Sequence, residues 1–384
     1  MKILLISARY LPHRGGLESV VYHLAREYSK RGHQVQIITN RYPRSLPVTE
    51  IIHGIKIIRL IFLLPEIKYI KRFRFDLWLA GFWYRWYTSR ALQKIILKFN
   101  PDIIHNQYLN EVAEYTGLCL KKNFNLIPWI ITFQGGDVDG EPLIDQANKE
   151  RFQRFSQQAI CLTACSAYLA KQVQTLQPAL SGKIEVIHNG VNVDRFSTAQ
   201  PSLAAQPYVF AVGQLVPHKG FELLIRAFMP LAKKYHSVQL WIAGDGIQRQ
   251  SLEMIVRQNN LNQQVLFLGK VDESAVAALM ADSLFVVMPS LREPFGIVAL
   301  EGLAAGKPVL ATPMGGLPEF LPVPPNRLVV PEIPAWETAL DEWITMSLAG
   351  QLKADQNKQW ASKFDWPIIA DRYLQVYERA KNHI

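Results

Sequence analysis

Alternation is the property that most limits how this chain can fold. Short apolar runs bounded by Gly, Pro, Asn or Asp occur at Ile3–Ser7, Gln34–Thr39, Ile103–His105, Trp129–Phe133 and Ala159–Ala164, with amphipathic stretches such as Leu17–Arg31 between them. The pattern resumes at Tyr208–Val212, Gln239–Ala243, Val265–Leu268, Ser283–Met288 and Val309–Ala311, now with stretches such as Phe221–Tyr235. Short apolar runs read as buried strands, and stretches with Leu, Ala or Val along one side read as helices packed against them. In series they build a parallel sheet with helices on both faces, here twice over. The expected fold class is α/β, two Rossmann-like doubly wound sheets in tandem. Ligands of such sheets lie beyond the C-terminal strand ends, so the loops after the strands should carry the chemistry.

A chain of 384 residues suits two domains rather than one core. The stretch 197–207, "STAQPSLAAQP", is small, polar and twice interrupted by proline, which places the boundary there, with domains over 1–196 and 197–364. Hydrophobic residues at 49% and charged residues at 19% exclude a disordered chain. Three cysteines, Cys119, Cys161 and Cys165, are too few and odd for a disulfide framework and suit a reducing compartment. Cys161 and Cys165 sit in a buried-strand pattern without a second ligand pair, so no metal site is expected. The apolar start "MKILLIS" is too short for a signal peptide and no run reaches the roughly 18 residues needed to span a bilayer. A cytoplasmic location, or a peripheral one on the inner face of the membrane, is expected. Charge is uneven: residues 1–200 hold 26 Lys and Arg against 15 Asp and Glu, and residues 201–384 hold 16 against 17. The positive field therefore belongs to the first half.

Three loops draw attention. After the first strand, Gly15 and Gly16 lead into a helix, where paired glycines let backbone N–H groups approach an anion or simply form a tight turn. In "YVFAVGQLVPHKGFELL" a strand ends at Gly213, and Lys219 stands at a helix start, an arrangement suited to a diphosphate or to an ordinary surface lysine. In "MPSLREPFGIVALEGLAAGKP", Pro294 suits a first helical turn and Gly306 with Pro308 ends the helix. Glu293 then precedes the helix and Glu301 lies two turns inside. At 1.5 Å per residue they stand roughly 12 Å apart, far enough to accept hydrogen bonds from two separate polyols. The first-turn amides of Phe295, Gly296, Ile297 and Val298 would face a diphosphate between them.

This glutamate pair, separated by seven residues, resembles the acidic signature of the retaining glycosyltransferases of family 4, which have the GT-B fold. The likeness runs over nearly the whole chain: "GGLESVVYHLAREYSKRGHQVQIIT", "IEVIHNGVNVDRF", "GQLVPHKG", "WIAGDG", "VLFLGKVDE" and "GGLPEF" stand in the family's order. The resemblance implies two Rossmann-like domains facing a cleft, with the C-terminal stretch 365–384 crossing back as a helix to the first. It implies a nucleotide-sugar donor, UDP- or GDP-linked, held by Gly16, Gly213, Gln214, Gly244, Lys219, the backbone of Lys270 and Val271, Glu293, Phe295, Gly296, Ile297, Val298 and Glu301. Lys219 would neutralise the departing diphosphate, Glu293 would hold sugar hydroxyls and Glu301 the ribose, with neither metal nor cofactor. The acceptor, a glycan or a lipid-linked glycan, would meet Gly15, Gln134 and Asp137.

Two positions depart from the family pattern. Gln214 stands where the family commonly has Arg, and losing one of two cations weakens charge stabilisation unless Arg249 or Arg14 takes its place. Gln134, in "ITFQGGD", stands where many relatives have His followed by Gly. An amide can orient a substrate but not shuttle a proton, so the catalytic role given to Gln134 beside Lys219 and Glu293 is one of positioning. The two substitutions together leave a second reading open, a catalytically weak sugar-nucleotide-binding or scaffold protein.

Residues 56–98 concentrate charge and aromatics. Lys56, Arg59, Lys68, Lys71, Arg72, Arg74, Arg85, Arg90, Lys94 and Lys98 stand against Glu66 and Asp76, interleaved with Phe62, Phe73, Phe75, Trp78, Phe82, Trp83 and Trp86. The mixture suits an anionic membrane surface, and equally an aromatic core with a solvated rim. No nucleic-acid motif accompanies it, so nucleic acid is not an expected partner.

Overall fold

A computed structural model of the chain describes residues 1–13, 15–65, 73–123, 126–138, 146–202 and 204–382. The chain divides into two compact units, Met1–His188 with Trp366–Ile384, and Asn189–Asp365. Residues 189–196 thus belong with the second unit rather than the first. The reason is local: Val191 N–H donates to the Phe364 carbonyl at 2.9 Å, and Arg195 of helix Val193–Ser197 pairs with Glu273.

The first unit is built on β1 (Lys2–Ser7), β2 (Gln34–Asn40), β3 (Thr49–Ile52), β4 (Ile55–Leu60), β5 (Ile103–Gln107), β6 (Trp129–Phe133), β7 (Cys161–Ala164) and β8 (Ile184–Val186). They form an eight-stranded sheet in the order β3-β4-β2-β1-β5-β6-β7-β8. All neighbours pair in parallel except β3 with β4. β5 and β6 are buried along their whole length, because helices cover both faces. Helix Trp366–Asn382 closes this unit against helix Gly16–Lys30, stacking Trp366 on His23 at 5.0 Å and joining the hydroxyls of Tyr28 and Tyr377 at 3.0 Å.

The second unit is all parallel: β9 (Tyr208–Val212), β10 (Gln239–Ala243), β11 (Val265–Gly269), β12 (Val286–Met288), β13 (Val309–Ala311) and β14 (Arg327–Leu328), in the order β11-β10-β9-β12-β13-β14. Helix Phe221–Lys234 buries Leu224, Ile225, Phe228 and Leu231 in one core with Trp336, Leu340 and Ile344 of helix Ile333–Leu348. Each such side chain contributes about 1.5–3 kcal/mol by leaving water.

Two strands begin later than their apolar runs suggest, because the preceding helix keeps the first residues. Ser283 N–H still donates to the carbonyls of Leu279 and Met280, so β12 starts at Val286, and Ala159 N–H donates to Phe155, so β7 starts at Cys161. The short edge strands β3, β8 and β14 and the half of a hairpin formed by β4 carry no long apolar run and were not anticipated.

In both sheets the strand order reverses beside the first strand. In the first unit β1 separates β2 from β5, and in the second β9 separates β10 from β12. Loops leaving the two strands on either side of that reversal diverge and leave a crevice, which is where ligands of doubly wound sheets bind.

Candidate functional site

In the second unit the reversal brings together the loops after β9 and β12, which hold Lys219 and Glu293. Lys219 ends a single 3-10 turn, Pro217–Lys219. Its Nζ donates to Glu293 Oε2 at 2.6 Å, and Ser290 Oγ donates to the same oxygen at 3.1 Å. The loops are stitched together through the backbone as well, since Leu291 N–H donates to the His218 carbonyl at 2.8 Å. Gly220, at φ 71°, is what permits this approach: a Cβ there would stand 2.0 Å from the Pro289 carbonyl oxygen. On the other side a Cβ at Gly315 would stand 1.7 Å from the Glu293 carbonyl oxygen, which Gly316 N–H also engages at 3.1 Å. The carboxylate is thus buried, its main chain fixed between the loops and one of its oxygens engaged by a lysine and a serine.

The helix after Glu293 starts later than Pro294 suggests, at Ile297, and runs to Ala304. Gly296 sits before it at φ 108°, a conformation costly for a residue with a side chain. The helical rise therefore applies only from Ile297 onward, and Glu301 lies just over one turn inside rather than two. Ile297 and Val298 are in the first turn, whose N–H groups the helix itself does not use. The Phe295 ring is buried and stacks on Phe320 at 4.7 Å, so only its backbone remains for a ligand. Desolvation of the Glu301 carboxyl, aided by the Glu273 carboxylate and opposed by Arg195, pushes it up to about 8, although an edge of the residue reaches solvent.

Gly213, Gly244 and Lys270 lie where β9, β10 and β11 end. Gly244 N–H donates to Gly269 at 2.7 Å and a Cβ at Gly244 would stand 1.9 Å from the Gly213 carbonyl oxygen, so these three strand ends are laced closely. Lys270 is exposed and Val271 half-buried, directly before helix Glu273–Asp282, which Asp272 caps by accepting from Ala275 N–H at 2.9 Å. Gln214 is exposed. Arg249, the residue considered as its substitute, spends Nε on Glu253 at 2.9 Å, with Nη1 3.3 Å from where a Cβ at Gly269 would stand. Arg14, the other, lies outside the described residues.

In the first unit Gln134 follows β6, and the structure adds what stands behind it. Gln134 Nε2 donates to Gln107 Oε1 at 2.9 Å, and Gln107 Nε2 contacts His105 Nε2 at 3.2 Å. His105 also meets Thr132 Oγ1 at 2.6 Å and, through Nδ1, Tyr377 OH at 2.5 Å. Burial lowers the imidazole to about 3, so it is neutral and serves as a hydrogen-bond junction. Asp137 turns inward rather than toward a ligand: its carboxylate accepts from Leu109 N–H at 3.1 Å, Gln134 N–H at 3.2 Å and Gly135 N–H at 2.9 Å. Burial raises it to about 6 against those bonds, and its place is to hold the turn that presents Gln134. A Cβ at Gly136 would stand 2.3 Å from the Tyr108 hydroxyl, so the turn and that ring are closely apposed. Tyr108 itself adopts φ 97°, the strained backbone sign for a residue with a side chain. Gly15 caps helix Gly16–Lys30 in extended conformation, and Glu18 Oε2 stands 2.6 Å from where its Cβ would be, so a protein carboxylate already covers that helix start.

Ser290, Gln107, His105, Tyr108 and Glu18 were not singled out from the sequence. For His105 and Gln107 a signal existed: "IIHNQ" places polar residues two apart in a strand otherwise read as apolar, hence on one face. Among the described residues no three His, Cys, Asp or Glu side chains are gathered as metal ligands.

The region 14–195 matches the family described as Glycosyltransferase Family 4, and 194–359 matches Glycosyl transferases group 1. The chain belongs to glycosyltransferase family 4. An uncharacterized glycosyltransferase of Methanocaldococcus jannaschii is 28% identical to it, covering 99% of this chain and 98% of that protein. A phosphatidylinositol N-acetylglucosaminyltransferase component from Homo sapiens is 25% identical, covering 98% of this chain and 76% of that protein. Among solved structures, sucrose-phosphate synthase from Thermosynechococcus elongatus matches at TM-score 0.81 and 21% identity over 100% of both chains. Anabaena HepE in complex with UDP and glucose matches at TM-score 0.76 and 20% identity, over 99% of this chain and 100% of that one. These likenesses show that this family 4 glycosyltransferase has the GT-B fold.

Proposed function

We propose that this family 4 glycosyltransferase is a retaining, metal-independent enzyme that moves a hexosyl group from a UDP- or GDP-sugar to an acceptor glycan or lipid-linked glycan, as in the building of a cell-surface polysaccharide. The observation that carries the reading is the Lys219–Glu293 pair at the β9/β12 reversal, a buried carboxylate and a cation at 2.6 Å beside the Ile297 helix start. In the reaction the bond between the anomeric carbon and the donor phosphate oxygen breaks, and a bond from that carbon to an acceptor oxygen forms on the same face. The acceptor hydroxyl proton passes to the departing phosphate oxygen. Lys219 leaves Glu293 to meet the diphosphate, supported by the amides of Ile297 and Val298, while Glu293 turns its acceptor oxygens to sugar hydroxyls. Glu301 and the backbone of Lys270 and Val271 take the nucleoside. On the first unit Gln134, oriented through Gln107, positions the acceptor and moves no proton. That HepE has been captured with UDP and glucose supports a nucleotide-sugar donor here.

The test is nucleotide release from a panel of UDP- and GDP-sugars by the wild type and by Glu293→Ala. Release that depends on the donor sugar and falls sharply in the variant supports the reading. Equal release from both proteins sinks it. Tight donor binding without turnover on any acceptor would instead favour the catalytically weak sugar-nucleotide binder that Gln134 and Gln214 leave open.

A further inference from the structure

Helix Phe75–Phe99 carries two apolar faces, and among the described residues only one of them has a partner. Gly81, Thr88, Leu92, Ile96 and Phe99 are buried, as expected of a helix seated on a domain. Phe75, Leu79, Phe82, Trp83, Trp86 and Tyr87 are each between 51% and 63% exposed. Their spacing of 4, 3, 1, 3 and 1 residues follows a single helical stripe across the first four turns. The stripe cannot roll inward. A Cβ at Gly81 would stand 2.5 Å from the Pro65 backbone nitrogen, so the helix is already as close to that loop as a glycine allows, and Thr88 Oγ1 donates to the Ile61 carbonyl at 2.6 Å. The outward rings pack on one another instead, Trp83 on Tyr87 at 4.9 Å and Trp78 on Phe82 at 5.1 Å.

Charge identifies what covers the stripe. Arg90 stacks on Trp86 at 4.2 Å, and Lys94 and Lys98 follow one and two turns later. Among the described residues no carboxylate pairs with any of these three cations, whereas the one acid of the helix, Asp76, is held by Arg74 at 2.8 Å. Of the other basic residues in the 56–98 segment, Arg59 is buried and paired with Glu50 and Lys56 is half-buried in β4, so neither belongs to the face. Glu66, Lys68, Lys71 and Arg72 lie outside the described residues. A second copy of the chain would set two unpaired cation rows against each other. A membrane offers what both halves of the face need: an apolar boundary for amphipathic rings and phosphates for the cations.

We propose that this face docks on anionic phospholipid, with Phe82, Trp83 and Trp86 seated at the headgroup–acyl boundary and Arg90, Lys94 and Lys98 against lipid phosphates. No helix among the described residues is long and apolar enough to cross a membrane, which suits shallow insertion. The inference rests on this face alone and stands apart from the transfer reaction, though a lipid-linked acceptor would give it a purpose.

The experiment is co-sedimentation of the full-length protein with phosphatidylglycerol-containing and with pure phosphatidylcholine vesicles, at low and high salt, for the wild type, Trp83→Ser/Trp86→Ser and Arg90→Gln/Lys94→Gln/Lys98→Gln. Donor-dependent nucleotide release is followed on a soluble acceptor mimic. The wild type is expected to bind the anionic vesicles, more weakly as salt is raised. The aromatic variant should lose roughly tenfold or more of that binding and the charge variant its preference for anionic lipid. All three proteins should keep their melting temperature and their nucleotide release, since the replaced side chains are exposed and none belongs to the candidate site. Absence of binding to anionic vesicles at low salt overturns the proposal, as does binding that neither variant reduces, or a wild-type dimer that both variants dissociate.

Discussion

The Lys219–Glu293 pair can be taken apart by a double-mutant cycle with Lys219→Met, Glu293→Gln and both together. At 2.6 Å and an effective dielectric constant of about 20 the bare attraction is roughly 6 kcal/mol. Most of it is offset, because a glutamate side chain only 8% exposed and a lysine side chain 24% exposed have both given up water. Solvent reaching the lysine screens the remainder, so the coupling expected in urea unfolding is about 1–2 kcal/mol. Glu293→Gln keeps an acceptor for Ser290 and for the lysine, and should be the milder single change. In the assay of nucleotide release each single variant should lose about 10²–10³ in kcat, the range for removing one preorganised charged contact to a transition state. The double variant should lose little more, since both groups act on the same departing diphosphate and its sugar. The reasoning is refuted if the two stability effects add to within about 0.3 kcal/mol, the behaviour of independent sites, or if Glu293→Gln turns over like the wild type.

Three further outcomes follow from particular contacts. Gly220→Ala should cost about 1–3 kcal/mol in urea unfolding, because the residue needs φ 71° and its Cβ would meet the Pro289 carbonyl; a neutral change would show that the β9 and β12 loops are not held as described. His105 is held neutral by burial, at about 3, so the unfolded chain takes up a proton near 6.5 that the folded chain refuses. Its contribution is fully present above that pH and is lost as pH falls toward 3; His105→Gln should therefore flatten stability between pH 6.5 and 4, and an unchanged slope would contradict the assignment. Glu301 is raised to about 8, so folding loses stability from this group as pH rises from its ordinary range through 8. If its ionised form accepts the ribose hydroxyls, calorimetric donor affinity should rise from about pH 6.5 to about 8.5 with release of a proton, and Glu301→Gln should abolish both effects.

Much of the architecture could be read from residue patterns because a doubly wound sheet is specified locally. Runs such as "WIITF" must be buried on both sides, and helices such as Phe221–Lys234 show which side faces them. Boundaries were less legible where hydrogen bonding rather than hydrophobicity decides them, as at Ser283, whose N–H belongs to the preceding helix. At the site, Glu293, Glu301 and Lys219 stood out by motif, whereas Ser290 did not, being one more serine in a loop. The Asp137 carboxylate was legible as a group but not in its direction: only the fold shows three backbone N–H groups closing on it.

Class of fold, order of elements and family are all written along the chain, since periodicity and an ordered motif set are properties that a linear reading recovers. Which residues meet is a matter of packing in three dimensions. Lys219 and Glu293 are 74 residues apart and touch because β9 and β12 are neighbours at the reversal of strand order, and because glycines at 220 and 315 let two backbones pass where any side chain would collide. The fold likewise decided the meaning of the aromatic segment. Trp83 and Trp86 read equally well as core until the contact of Gly81 with Pro65 sets the rotation of their helix and leaves them facing outward. Composition can say that such side chains avoid water; only packing says what they have been left to avoid it with.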